Sequence, residues 1–153
     1  MTAVLPLQPE PAGAAIVETR FGPLPGDPNQ VVLMLDPLPG FESCRRYVLV
    51  SSAELDPFTC LQGLDEPRPS FLVIDPRRVD PEFRAVLPAD ERRRLDASAD
   101  DSLLWLALVR VEEGRQPSVN LRAPVVVNAR RMVGMQLISP DTTYAIEHPL
   151  DSD

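Results

Sequence analysis

Between residues 118 and 128 the chain reads Ser-Val-Asn-Leu-Arg-Ala-Pro-Val-Val-Val-Asn, and its side chains sort into two sets by alternation. Val119, Leu121, Ala123, Val125 and Val127 fall on one side of an extended chain. Asn120, Arg122, Pro124, Val126 and Asn128 fall on the other. A period of two predicts one strand with a buried and a wet face. Pro124 lies on the wet register and has no N–H to give, so the strand is expected to bend, bulge or run along an edge there.

Shorter apolar runs predict further strands at 15–20, 30–36, 46–50, 58–62, 71–75, 102–112, 132–138 and 142–147. The continuous run 31–35 is expected to be buried on both faces. In 102–112, Trp105, Ala107, Val109 and Val111 share one face and Leu104, Leu106 and Leu108 the other, with the first half covered on both sides. Residues 21–29 read as a turn-rich connection. Asp36-Pro37-Leu38-Pro39-Gly40-Phe41-Glu42 reads as a rigid turn that presents Leu38 and Phe41 to the core. The turn-prone stretch 63–69 joins its two neighbouring strands as a hairpin.

Residues 82–87 read as short and extended. Residues 88–95 are the best helix candidate, with Pro88 at the first helical position, Asp90 and Glu91 in the first turn and arginines behind them. Nine strand candidates, one or two short helices and no internal linker predict an all-β fold, a small antiparallel barrel-like single domain. Residues 1–14, rich in Pro and Ala, read as a flexible N-terminal extension, 15–150 as the β domain and 151–153 as an acidic tail.

Charge narrows the choice of partner. The chain of 153 residues carries a net charge of −8 with a pI near 4.6, and all 15 basic residues are arginine. Direct nucleic-acid binding needs a basic face that displaces counterions, so none is expected. A basic protein is the partner such a field attracts. The triplet Arg92-Arg93-Arg94 is flanked by Asp90, Glu91, Asp96, Asp100 and Asp101, and reads as a self-compensated face. The longest apolar run, 103–109, is far too short to span a bilayer, so no membrane association is expected. Cys44 and Cys60 lack C-x-x-C spacing and no secretion signal is evident, so both are expected as thiols in the cytoplasm.

Catalysis finds little support. His148 is the one histidine, beside a proline and outside any metal-binding spacing. There is no G-x-S-x-G, no G-x-G-x-x-G and no Walker-type loop. Asp100-Asp101 and Glu112-Glu113 are adjacent pairs, which on a strand point to opposite faces and make no acid/base couple. No cofactor or metal is expected. The residues alone reach an acidic all-β binding domain.

A resemblance reaches further. Asn120-Leu121-Arg122-Ala123-Pro124-Val125-Val126-Val127-Asn128 resembles the N-L-x-A-P-[IV]-[VI]-[IV]-N segment of the flagellar assembly factor FliW family. Leu38-Pro39-Gly40-Phe41-Glu42 resembles that family's G-[IL]-P-G-F-E turn, and Asp56-Pro57-Phe58 with Leu61-Gln62 its P-F-x-x-L-Q-S segment. Phe71-Leu72-Val73-Ile74-Asp75-Pro76 resembles F-x-V-x-D-P, and His148-Pro149-Leu150 closes the set. Pro37 stands where a glycine is usual, and Gly63 where a serine is.

The resemblance implies a small β-barrel-like protein that is not an enzyme. It implies two partners: the RNA-binding translational regulator CsrA, which the factor antagonises, and flagellin, whose level is thereby coupled to its translation. The motif residues are turn and core positions and name no contacts. The nominated partner-binding residues are therefore an acidic region, Asp90, Glu91, Asp96, Asp100 and Asp101, and the wet face of the 118–128 strand, Asn120, Arg122 and Asn128. The competing expectation is a small-molecule-binding or hydrolytic β-barrel with carboxylates at its mouth. A third is a divergent relative that binds flagellin and no longer binds CsrA.

Overall fold

A computed structural model describes residues 15–27, 30–84, 86–98, 102–139 and 143–150. Its strands are β1 (Ala15–Thr19), β2 (Gly22–Gly26), β3 (Val31–Met34), β4 (Arg46–Val50), β5 (Thr59–Gly63), β6 (Ser70–Ile74), β7 (Leu103–Arg110), β8 (Ser118–Val119), β9 (Val125–Asn128), β10 (Val133–Gln136) and β11 (His148–Pro149). A 3-10 turn (Pro76–Arg78) and one helix, α1 (Ala89–Arg94), complete it.

Strands β3 to β7 follow one another as an antiparallel meander. β7 then pairs with β9, β9 with β10, and β10 with β3, which closes a barrel of seven strands. Up-and-down alternation cannot run around a ring of odd number without one failure. It fails at β10–β3, which is parallel where the sequence predicts only antiparallel pairs.

The pleat divides each strand between inside and outside. Tyr47, Leu61, Val73, Leu106, Val125 and Val127 pack together with Val32 and Met34 as one interior cluster. The turn after β3 adds Leu38 and Phe41 to it, as expected, with Gly40 at φ 87. The opposite faces have separate covers. The β1–β2 hairpin lies over Val48, Val50 and Cys60; α1 and the segment before it lie over Val126 and Met135; the chain's last described residues lie over Ala107 and Val119. Strands buried on both faces explain the unbroken apolar runs of the sequence. Where no cover reaches, the run misleads: Leu33 is 45% exposed, so β3 is not buried on both faces.

Several further expectations are corrected. Residues 22–26 form β2 rather than a loop. Pro23 and Pro25 pair opposite Glu18 and Ile16, alternate positions on an edge strand, where a missing N–H breaks no ladder bond. The 118–128 stretch is two strands, not one, because Asn120 folds the chain at 120–124 before Pro124 is reached. Its supposed wet face is largely dry: Pro124, Val126 and Asn128 are buried. The final strand is His148–Pro149 on β8, and the described residues 143–147 form none. α1 begins one residue later than expected, with Pro88 as its N-cap. The described part of 82–87 holds no strand, and residues 1–14 and 151–153 lie outside the described residues.

Candidate functional site

Two corners of the molecule carry the nominated residues that are described. At the first, α1 meets the turn between β9 and β10. Asn128 is fully buried there, where its Nδ2 donates to the Leu95 carbonyl at 2.9 Å and its Oδ1 accepts from the Arg130 N–H at 3.1 Å. Leu95 ends α1, so Asn128 satisfies a helix-end carbonyl and fixes the helix to the barrel. It is a structural group and presents no contact.

The charges at this corner answer one another. Asp90 pairs with Arg93, and Asp96 with Arg131 at 3.1 Å. Arg94 grips Asp36 of the β3–β4 connection through two bonds of 2.8 Å, which hold the Asp36 carboxyl below its usual range. The expected compensation of the arginine triplet is therefore made partly by a residue far away in sequence. Arg92, Arg93, Arg130 and Arg131 line an open groove of about 610 Å³ beside Asp96. Glu91 is half-buried, and Asp100 and Asp101 lie outside the described residues.

At the second corner, Asn120 Oδ1 accepts from the N–H groups of Arg122 (3.0 Å) and Ala123 (3.1 Å), an Asx turn that reverses the chain between β8 and β9. Arg122 Nε donates to the Tyr144 carbonyl at 2.8 Å, and the Tyr144 hydroxyl accepts from the Arg84 N–H at 2.8 Å. The Tyr144 ring leans on Phe83, centroids 4.9 Å apart. Asn120 and Arg122 thus hold three segments together around a cleft of about 40 Å³, lined by Phe83, Leu121, Leu137 and Tyr144 and flanked by Val86 and Ile138. Val86 is 81% exposed and Ile138 72%. Sequence reasoning missed both: Ile138 ends a stretch read as strand and Val86 lies in one read as short and extended, where an apolar residue is expected to be covered.

Elsewhere the titrating groups are held in place by structure. Asp65 accepts from the Arg46 guanidinium and from the N–H groups of Arg45 and Arg46, which push its pKa down to about 2. Burial pushes the Cys60 thiol up to about 11, so at neutral pH it is a protonated core residue. Both cysteines are free and buried. Among the described residues no group of three or more His, Cys, Asp or Glu is placed to hold a metal ion. No described helix is long and apolar enough to cross a membrane.

The motif positions of the sequence are the places that hold this frame: the Gly40 turn, the Asp75 cap of the 3-10 turn, the Asn120 turn, the Asn128 staple and β11. The family described as FliW protein matches residues 15–150. The chain belongs to the FliW family, whose members are flagellar assembly factors. It is 36% identical over 140 residues to a flagellar assembly factor FliW of Desulfitobacterium hafniense, covering 90% of this chain and 91% of that one. It is 32% identical over 134 residues to the FliW of Syntrophotalea carbinolica, covering 88% and 96%. A crystal structure of the flagellar assembly factor FliW superposes with a TM-score of 0.78 at 25% identity, over 90% of this chain and 97% of that one. This FliW-family chain also accounts for its own departure at Gly63: a Cβ there would lie 2.7 Å from Cys44 Sγ and 2.6 Å from Pro69 Cδ, so glycine is what this core admits.

Proposed function

We propose that this FliW-family chain acts in the cytoplasm as a protein-binding antagonist of a CsrA-type RNA-binding regulator and as a partner of flagellin, without catalysis. Free flagellin occupies the factor, and a fall in free flagellin releases it to bind the regulator. The observation that carries this reading is the family match across residues 15–150. Charge supports it, since a net −8 draws in a basic dimer from a distance. The filled interior supports it too, because side chains occupy the space in which a ligand-binding barrel would hold its ligand.

The hydrolytic reading is less well supported. A general acid needs a carboxyl whose pKa is raised. The resolved carboxylate shifts, at Asp36, Asp65 and Asp75, all run downward under arginine neighbours. The cleft at one end of the barrel, about 270 Å³, is lined chiefly by apolar side chains such as Val32, Leu49, Leu104 and Val127.

Surface-plasmon measurements over a range of salt test the proposal. Screening shortens the reach of charge from about 30 Å at 0.01 M to about 8 Å at physiological strength. Association with the CsrA-type dimer should slow as salt rises, while dissociation changes much less. Neutralising Asp90, Glu91, Asp100 and Asp101 together should flatten that slope. An unchanged slope moves the interface away from the nominated acidic region. Binding to flagellin alone identifies a divergent relative, and binding to neither partner overturns the reading.

A further inference from the structure

Seven large apolar side chains stand exposed among the described residues, and the two most exposed, Val86 at 81% and Ile138 at 72%, flank the same cleft. Scattered apolar residues need no explanation, whereas two at the lips of one apolar floor mark a contact surface. That floor is rigid. Phe83, Leu121 and Leu137 are only 7%, 2% and 8% exposed, and Tyr144 is held by the hydrogen bonds to Arg84 and Arg122. Its free volume of about 40 Å³ compares with the roughly 30 Å³ share of one water molecule in the liquid, and falls far below the 300 Å³ or more of a small-molecule site. The cleft is cut for the tip of one side chain. It is not a ligand cavity.

Charge decides whose side chain. Arg84 lines the cleft, and its guanidinium has no carboxylate in ion-pair contact among the described residues. Arg122 stands close by, its Nε on the Tyr144 carbonyl. The acids nearest in sequence are Asp80, whose Oδ1 accepts from the Glu82 N–H, and the exposed Glu82, and neither pairs with Arg84. A basic dimer would meet like charge here, whereas a carboxylate would meet an unanswered cation.

We propose that this cleft docks an acidic amphipathic segment of flagellin, with an aliphatic side chain on the Phe83–Leu121–Leu137 floor and a neighbouring carboxylate on Arg84. The inference rests on the protein-binding reading above and gives flagellin a surface of its own, apolar with a cationic rim, apart from the region around α1 nominated for the regulator.

The experiment titrates the full chain against purified flagellin and, separately, against a CsrA-type dimer by calorimetry. Variants are Ile138→Asp, Val86→Asp and Arg84→Glu, with Ile138→Leu as the conservative control. Ile138→Asp and Val86→Asp should each weaken flagellin binding about tenfold or more, the size of a lost interface anchor. Arg84→Glu should weaken it less and reduce its salt dependence. Ile138→Leu should retain it, and affinity for the CsrA-type dimer should stay within about twofold throughout. Because Val86 and Ile138 are exposed, urea midpoints should not move, and a variant that does unfold is replaced by the other. Flagellin binding unchanged in both Asp variants overturns the proposal, as does an equal loss toward the CsrA-type dimer. Loss of binding to anionic lipid vesicles in place of flagellin would make the patch a membrane contact and also overturn it. Failure of the wild type to bind either protein appears before any variant is made, and marks the failure of the functional reading itself.

Discussion

The α1 corner and the Tyr144 corner are both surfaces where two chain segments meet over the barrel, yet they treat their exposed groups in opposite ways. At α1, Asp90, Asp96 and Asp36 each face an arginine of the same chain, and the one fully buried polar side chain, Asn128, has its amide satisfied by backbone. Around Tyr144 the buried polar groups are also satisfied, but two aliphatic side chains and Arg84 are left facing water. Charge that is answered within the chain acts on a partner chiefly through its long-range field. Apolar surface left uncovered beside a cation has no internal use. The stretch with the densest charge pattern in the sequence is therefore not the one that leaves apolar surface uncovered.

The Tyr144 corner holds the substitution that should destabilise the domain most. Leu121 is 2% exposed and forms the floor that the Asn120 turn holds in place. Leu121→Ala should cost about 2–5 kcal/mol, from lost burial plus the cavity left behind. An unmoved urea midpoint would show that the cleft is not built on the core.

The next concerns α1. Asn128→Ala leaves the Leu95 carbonyl and the Arg130 N–H without their side-chain partner in a dry setting, at a cost of about 1–3 kcal/mol. Asn128→Asp should be at least as harmful, because a carboxylate cannot donate to a carbonyl. A thermal midpoint insensitive to both would mean that α1 is not held through this residue.

How much of this was legible depended on whether the deciding contact was local. β4, the β5–β6 hairpin and the Gly40 turn follow from alternation and from turn chemistry within a few residues, and the structure has them where the sequence puts them. A local period of two puts Asn128 on a wet face, and only the docking of α1, more than thirty positions earlier in the chain, makes that face dry. β2 was hidden because Pro23 and Pro25 argue against a strand unless the edge on which they sit is known. Ile138 is hidden for the converse reason, since it continues an apolar run one residue past the buried Leu137, while Val86 faces out directly beside the buried Leu87. The ionic partner of Arg94, Asp36, lies beyond any helical or strand spacing.

A smaller, pH-dependent effect contrasts the surface pairs with these buried staples. Asp65 is held at a pKa of about 2, against about 3.9 in an unfolded chain. A depressed folded-state pKa gives stability that is complete above about 4 and is lost as pH falls through about 2. Asp65→Asn should therefore remove part of the acid-side slope of stability while leaving neutral-pH spectra unchanged. Acid titrations of wild type and variant that superpose below pH 4 would contradict the Arg46 contact.

The charges of α1 are answered but should contribute little to stability. The Arg93–Asp90 pair is an i,i+3 contact whose side chains are 72% and 78% exposed, so its attraction acts through water and salt and is offset by the entropy of two ordered side chains. Arg93→Ala should change stability by no more than about 0.5 kcal/mol, and less at high salt. Arg94 differs, since two parallel bonds hold Asp36 and its side chain is 44% exposed. Arg94→Ala should cost more than Arg93→Ala, because paired planar groups lose less entropy per bond. Double-mutant cycles, Arg93 with Asp90 and Arg94 with Asp36, isolate each coupling from changes in helix propensity. Should the Arg93 cycle show the larger coupling, exposure would not be what sets the strength of these pairs. The α1 corner would then hold a stronger electrostatic element than its geometry supports, and the contrast with the Tyr144 corner would narrow.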